Sequence, residues 1–163
     1  MGRASISMQL KYKVPQMRLC LVSDRKMSRL QHISTPADAA QLLAPLRYAS
    51  EEQFVALHLN CRHEVIGLHE VSKGTIASSL VHPREVFKAA VLANSFAILV
   101  CHNHPSGSEL EPSRDDLSTT EMLIKAGEMI GISVLDHIII GPNDAIYSIK
   151  ENYPQLWNKA SPE

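Results

Sequence analysis

The chain has 163 residues, 45% hydrophobic and 20% charged, with a net charge of -1, as expected of one globular domain able to bury its own core. No apolar run approaches the roughly 20 residues needed to cross a bilayer, and the opening MGRASISMQLKYKVPQMRLCLV lacks the compact apolar stretch and cleavage site of a signal peptide. Cys20, Cys61 and Cys101 are odd in number and outside any CxxC, which argues against a disulfide framework and for a reducing cytoplasm.

Charge is unevenly spread. Residues 1–31 hold seven Lys/Arg against one acidic residue, Asp24, and such a basic leading segment can meet nucleic acid or an acidic partner. Residues 1–13 are expected to be a flexible leader, MRLCLV (17–22) a short strand, and SDRKMSRLQ a polar turn. STPADAAQLLAPL starts a helix, with Ser34 or Thr35 as N-cap, Pro36 at the first position and Asp38 in the first turn; it should stop near Pro45. FVALHL (54–59) sets Val55, Leu57 and Leu59 on one face and Phe54, Ala56 and His58 on the other. EVIGLHEV (64–71) returns after the NCRH turn, so the pair forms a hairpin.

HPREVFKAAVLAN is a second helix, with Val86, Phe87, Ala90 and Val91 inward. FAILVC (96–101) is a continuously apolar strand, as a central strand covered on both sides should be. Between Arg114 and Ile130, Met122, Leu123, Ala126, Met129 and Ile130 form an apolar stripe, and Gly131 ends that helix. SVLDHIII and AIYSIK close the chain with two strands. The order β-α-β-β-α-β-α-β-β predicts one α/β sandwich with no internal repeat.

HNHPSGSELEPSRDD (102–116) follows the apolar strand directly. Residues two apart on an extended segment point the same way, so His102 and His104 can offer two imidazoles to one ion. A catalytic zinc site typically adds a third protein ligand and leaves a fourth position for water. Asp115 and Asp116 head the next helix, and the Pro- and Gly-containing loop between can fold back to bring them near. Ser113 and Asp116 also have the spacing of a capping box, an alternative use of the same residues. A zinc hydrolase further needs a general base beside the activated water. Glu51, Glu52, Glu64, Glu70 and Glu85 are all candidates by position.

HNHPSG followed by PSRDD resembles the JAMM motif of MPN-domain (JAB) metalloproteases, in the form carried by the bacterial RadC family. EEQFVALHLN, KGTIASSLVHPREVFKAAVLANSFAILVCHNHPSG and LDHIIIG match the family in the same order. The resemblance spans residues 14–152, leaving 1–13 as basic leader and 153–163 as C-terminal tail. It implies a mixed β-sheet flanked by helices, similar to cytidine deaminases. It also implies one zinc ion per chain on His102, His104 and Asp116, with Asp115 a neighbour. Glu52 matches the general base, with Glu51 as fallback, and Ser113 matches the serine that hydrogen-bonds the oxyanion or positions the water. Two departures stand out. PSGSELEP, between His104 and Ser113, is one residue longer than the usual family spacing. Full-length RadC proteins also tend to carry a helix-hairpin-helix DNA-binding region ahead of this domain, for which the chain leaves no room.

The expected activity is zinc-dependent hydrolysis of an amide, peptide or isopeptide bond in a protein or peptide substrate. Its rival is a DNA-associated accessory protein binding through the basic leader, with affinity falling steeply with salt. A catalytically silent scaffold would gain nothing from keeping all three ligands. Nucleobase deamination needs H-x-E with P-C-x-x-C, and neither occurs. The consecutive letters H-N-H match HNH nucleases by accident, because those residues are dispersed across a ββα unit.

Of the remaining polar residues, His58, His63 and His69 are expected to face solvent, and His82 to lie in an N-cap region. His137 is expected to pair structurally with Asp136, with a supporting position behind a ligand as the alternative. Thr75 follows the KG turn that the resemblance places near the cleft. Cys101 should point away from His102.

Overall fold

The computed structural model describes residues 30–74, 81–105 and 110–158. The basic leader, the strand expected at 17–22 and Thr75 lie outside these. Helix α1 (Pro36–Leu42) begins with a capping box, in which Thr35 accepts from Asp38 N while the Asp38 carboxylate accepts from Thr35 N at 2.8 Å. A 3-10 turn (Ala44–Tyr48) carries Pro45 near its start, so the chain stays coiled past the expected stop. Strands β1 (Gln53–Leu59) and β2 (Val65–Lys73) form the hairpin, followed by α2 (Pro83–Leu92), β3 (Ala97–Asn103), α3 (Arg114–Ile130), β4 (Ser133–Ile140) and β5 (Ile146–Ser148). Two short helices, α4 (Ile149–Asn152) and α5 (Gln155–Asn158), end the described chain.

The five strands form one sheet in the order β2-β1-β3-β4-β5. It is mixed: β3 and β4 run parallel, and the other neighbours are antiparallel. The fold is therefore the expected α/β arrangement of a mixed sheet with flanking helices. Alternation along the strands divides the core in two. Val55, Leu57, Leu59, Leu99, Cys101, Ile138 and Ile140 pack with α1 and the 3-10 turn. Phe54, Ala56, Ile98, Val100 and Val134 pack with α2 and α3 on the other face. β3 is buried along its whole length, which explains its continuous apolar run. Fully burying one such side chain stabilises the fold by roughly 1.5–3 kcal/mol.

Three local expectations change. Val91 is 57% exposed; it lies about 95° around the helix from the centre of the stripe made by Val86, Phe87 and Ala90. The buried face of α3 is Asp116, Thr119, Thr120, Leu123, Ile124 and Gly127, while Met129 is 88% exposed. The apolar letters misplace that stripe because its first two turns face polar groups at the end of β3. Gly127 belongs to it because a Cβ there would run into the carbonyl oxygen of Ile132. The strand expected at AIYSIK stops at Ser148, which caps α4 by accepting from Glu151 N at 3.1 Å. The buried Asp136 carboxylate fixes that break, accepting from Ser148 Oγ at 2.6 Å and Lys150 N at 3.1 Å.

Residues 155–158, which the resemblance leaves to the C-terminal tail, pack back on the domain: Trp157 Nε1 donates to Val134 O at 2.7 Å. Among the described residues no helix is long and apolar enough to cross a membrane.

Candidate metal centre

β3 runs two residues further than its apolar letters, so His102 sits within the strand and His104 just beyond it. Phe54 and His102 are register partners across β1 and β3, and their rings stack at 6.1 Å with 7° between planes. The histidines thus lie on the face covered by α3, and Cys101 lies in the opposite core, away from them.

The loop returns at Ser113, the N-cap of α3. The expected capping box is present, and it orients the carboxylate. Asp116 Oδ2 accepts from Ser113 N at 2.8 Å and from Ser113 Oγ at 2.6 Å, while Ser113 Oγ accepts from Asp116 N at 3.1 Å. That leaves Oδ1 facing His102 Nε2 at 3.3 Å, and Oδ2 lies 4.0 Å from His104 Nε2. The two Nε2 atoms are 3.0 Å apart. Ligand atoms of His102, His104 and Asp116 all lie within 4.8 Å of one another, the only such group of three among the described residues. A tetrahedral ion with bonds of about 2.1 Å needs donors about 3.4 Å apart, so the set fits one ion with small adjustments. Asp115 is exposed and takes no part. The helix N-terminus also favours a carboxylate at this end of α3.

Burial lowers the His102 imidazole to about 4, His104 adding to the effect and Asp116 opposing it. His137, fully buried, is held well below its usual value for the same reason, with His102 and His104 contributing. Both rings are therefore neutral at pH 7, the form a metal ligand requires.

Glu52 is half-buried, immediately before β1, while Glu51 is exposed. Carrying the pairing of Phe54 with His102 two residues outward puts Glu52 opposite His104. Its backbone is held on each side. Asn103 Oδ1 accepts from Gln53 N at 2.8 Å, Asn103 Nδ2 donates to Glu51 O at 3.1 Å, and Glu52 O accepts from Gly74 N at 2.9 Å. Glu64, Glu70 and Glu85 belong to the hairpin turn, the edge strand and α2.

Two expectations are corrected here. His137 does not pair with Asp136 through its ring. Asp136 Oδ1 accepts from the His137 backbone N–H at 2.7 Å, while the ring contacts His102 Nδ1 at 2.8 Å and Thr120 Oγ1 at 2.6 Å. His58 is buried, 3% exposed, rather than solvent-facing, because α2 and the Asn94–Phe96 turn cover that face of β1. His63 and His69 are half-buried. His82 is the N-cap of α2, accepting from Arg84 N through Nδ1 at 3.1 Å. The pattern missed Asn103 and Thr120, and held the ring role of His137 only as the alternative reading. One signal was available: a lone histidine inside the apolar run LDHIII, on the strand parallel to β3.

The mixed sheet, the helix packed across the end of β3 and the His-x-His…Asp group define a JAB-type domain. Residues 33–154 match the RadC-like JAB domain, and the chain belongs to the RadC family. It is 56% identical over 108 residues to a UPF0758 protein of Clostridioides difficile (strain 630), covering 66% of this chain and 45% of that protein. A UPF0758 protein of Staphylococcus haemolyticus is 46% identical over 127 residues, 77% of this chain and 55% of its own length. One from Caldanaerobacter subterraneus is 44% identical over 120 residues, 73% and 51% of the two chains. The chain spans about half the length of the curated relatives it matches.

Proposed function

We propose that the protein is a zinc-dependent hydrolase of JAMM type acting on an amide, peptide or isopeptide bond of a protein or peptide. The observation that carries this reading is the convergence of two imidazole Nε2 atoms and one carboxylate within 4.8 Å, at the end of the strand paired with the one Glu52 precedes. Two imidazoles and a carboxylate suit zinc better than magnesium or calcium, which prefer all-oxygen sites. Zinc bound there supplies Lewis acidity for the scissile carbonyl and lowers the pKa of water to about 7.

The chain's own residues do the rest. His102, His104 and Asp116 hold the ion. Glu52 accepts the proton of the attacking water and returns it to the leaving amine, a general acid–base role worth about 10²–10⁴ in rate. Phe54, stacked on His102, keeps water from the buried side of the site. Ser113 has one hydroxyl proton, and it goes to Asp116 Oδ2. Its first role is therefore to hold the ligand, and hydrogen-bonding a substrate oxyanion requires exchanging that bond. Among the described residues exposed Cys61 and buried Cys101 are free thiols, which suits a reducing cytoplasm.

The test is Glu52→Gln. The variant should keep its zinc, measured by mass spectrometry, while hydrolysis of a responsive peptide or isopeptide substrate falls by at least about 100-fold. Undiminished hydrolysis would remove Glu52 from the mechanism.

A further inference from the structure

His102 touches two polar neighbourhoods, and the second determines how its ring is protonated. Its Nε2 faces His104 and Asp116; its Nδ1 meets His137 Nε2 at 2.8 Å. Across that ring, His137 Nδ1 meets Thr120 Oγ1 at 2.6 Å, and Thr120 Oγ1 reaches the backbone carbonyl of Asp116, also at 2.6 Å. All three side chains are buried.

Proton positions follow from the far end of this chain. A carbonyl oxygen only accepts, so the Thr120 hydroxyl spends its one proton on Asp116 O. Thr120 Oγ1 can then only accept from His137, so His137 carries its proton on Nδ1. A neutral His137 therefore offers a bare Nε2, which must accept from His102 Nδ1–H. A neutral His102 is left with a bare Nε2, aimed at the point where the other two ligands converge. The competing tautomer, with Nε2–H donating to Asp116 Oδ1 across 3.3 Å, would block that position.

We propose that His137 and Thr120 are positioning residues of the metal centre, forming a one-directional hydrogen-bond relay that holds His102 in its ligand-competent tautomer. The purpose of the relay rests on the metal-binding reading above, whereas its direction rests on donor and acceptor chemistry with both rings neutral. The relay begins at His102 and ends on the main chain of Asp116, so it ties strand β3, strand β4 and the first turns of α3 into one unit. It also accounts for two polar residues, Thr120 and His137, on surfaces that the fold would otherwise fill with apolar side chains.

Long-range 1H–15N correlation NMR on metal-free wild type, Thr120→Val and Thr120→Ser, with zinc affinity by chelator competition, tests this. Metal-free wild type should show Nδ1–H at both His102 and His137. Thr120→Val, close in shape but without the hydroxyl, should lose the single tautomer at His102, with zinc Kd rising about 10–100-fold. Thr120→Ser restores the hydroxyl and should restore both readouts, which a purely structural role for the side chain would not require. Nε2–H at His102 in the wild type, or Thr120→Val unchanged in tautomer and affinity, overturns the relay. A wild type that binds no zinc yet shows Nδ1–H at both rings supports the relay and removes the metal reading instead.

Discussion

His58 and His102 lie on the same face of the sheet, both buried, and burial lowers each imidazole to about 4. Their surroundings differ. His102 has a partner for each ring nitrogen, its Nε2 meeting a second imidazole and a carboxylate. Among the described residues His58 has one hydrogen-bond partner, Ser95 Oγ at 3.2 Å, and none at Nε2; the neighbouring His69 Nδ1 has none there either. The His58 and His69 rings lie 6.3 Å apart and 25° from parallel, and among the described residues no third ligating side chain joins them in a group of three. A buried histidine with a lowered pKa is thus not by itself a site. Convergence of bare donors, with the remote nitrogen held, separates the two regions.

The sharpest way to break this contrast is to remove a ligand from one region and an imidazole from the other. Asp116→Ala should weaken zinc binding by more than about 100-fold in chelator competition, beyond the range typical of supporting residues. His69→Ala should leave the affinity unchanged. Equal losses would show that the hairpin histidines also hold the ion.

A smaller effect concerns acid stability. In the unfolded chain His58 takes up a proton below pH 6.5, whereas in the fold burial, and secondarily His69, holds its value near 4. His69 is itself lowered by burial and by Lys88, with Glu85 opposing. Between those pH values the unfolded state binds more protons, so stability present above 6.5 is lost as pH falls toward 4, by at most about 3 kcal/mol from this group. Urea unfolding of metal-free protein across that window should show a shallower acid limb for His58→Leu. A limb unchanged by the substitution would contradict the assignment.

Much of this architecture was legible in the letters. Alternation in FVALHL gave both faces of β1 correctly, and the continuous run before His102 identified the central strand. Apolarity misled where polar residues are buried for a reason. The stripe on α3 was misplaced because Asp116 and Thr120 occupy its inner face, and His137 was paired with the wrong neighbour because the sheet, not the chain, brings it to His102. Residue types and spacing name potential ligands, but strand register decides which side chains meet. The parity that sets Glu52 opposite His104 required the pairing of β1 with β3.

The smallest effect belongs to Ser113→Ala. Loss of the cap should cost about 1 kcal/mol in urea unfolding, and freeing Asp116 Oδ2 from its hydroxyl partner should weaken zinc by about 10-fold. A stability loss with unchanged affinity would confine Ser113 to capping.

The most direct test of the central claim is metal content by mass spectrometry on tag-free protein purified without chelator, beside His102→Ala/His104→Ala and His58→Leu proteins. The predicted result is near one zinc per chain in wild type and His58→Leu, and none in the double variant. No zinc in wild type even after it is added back would contradict the metal centre, and with it the hydrolase reading.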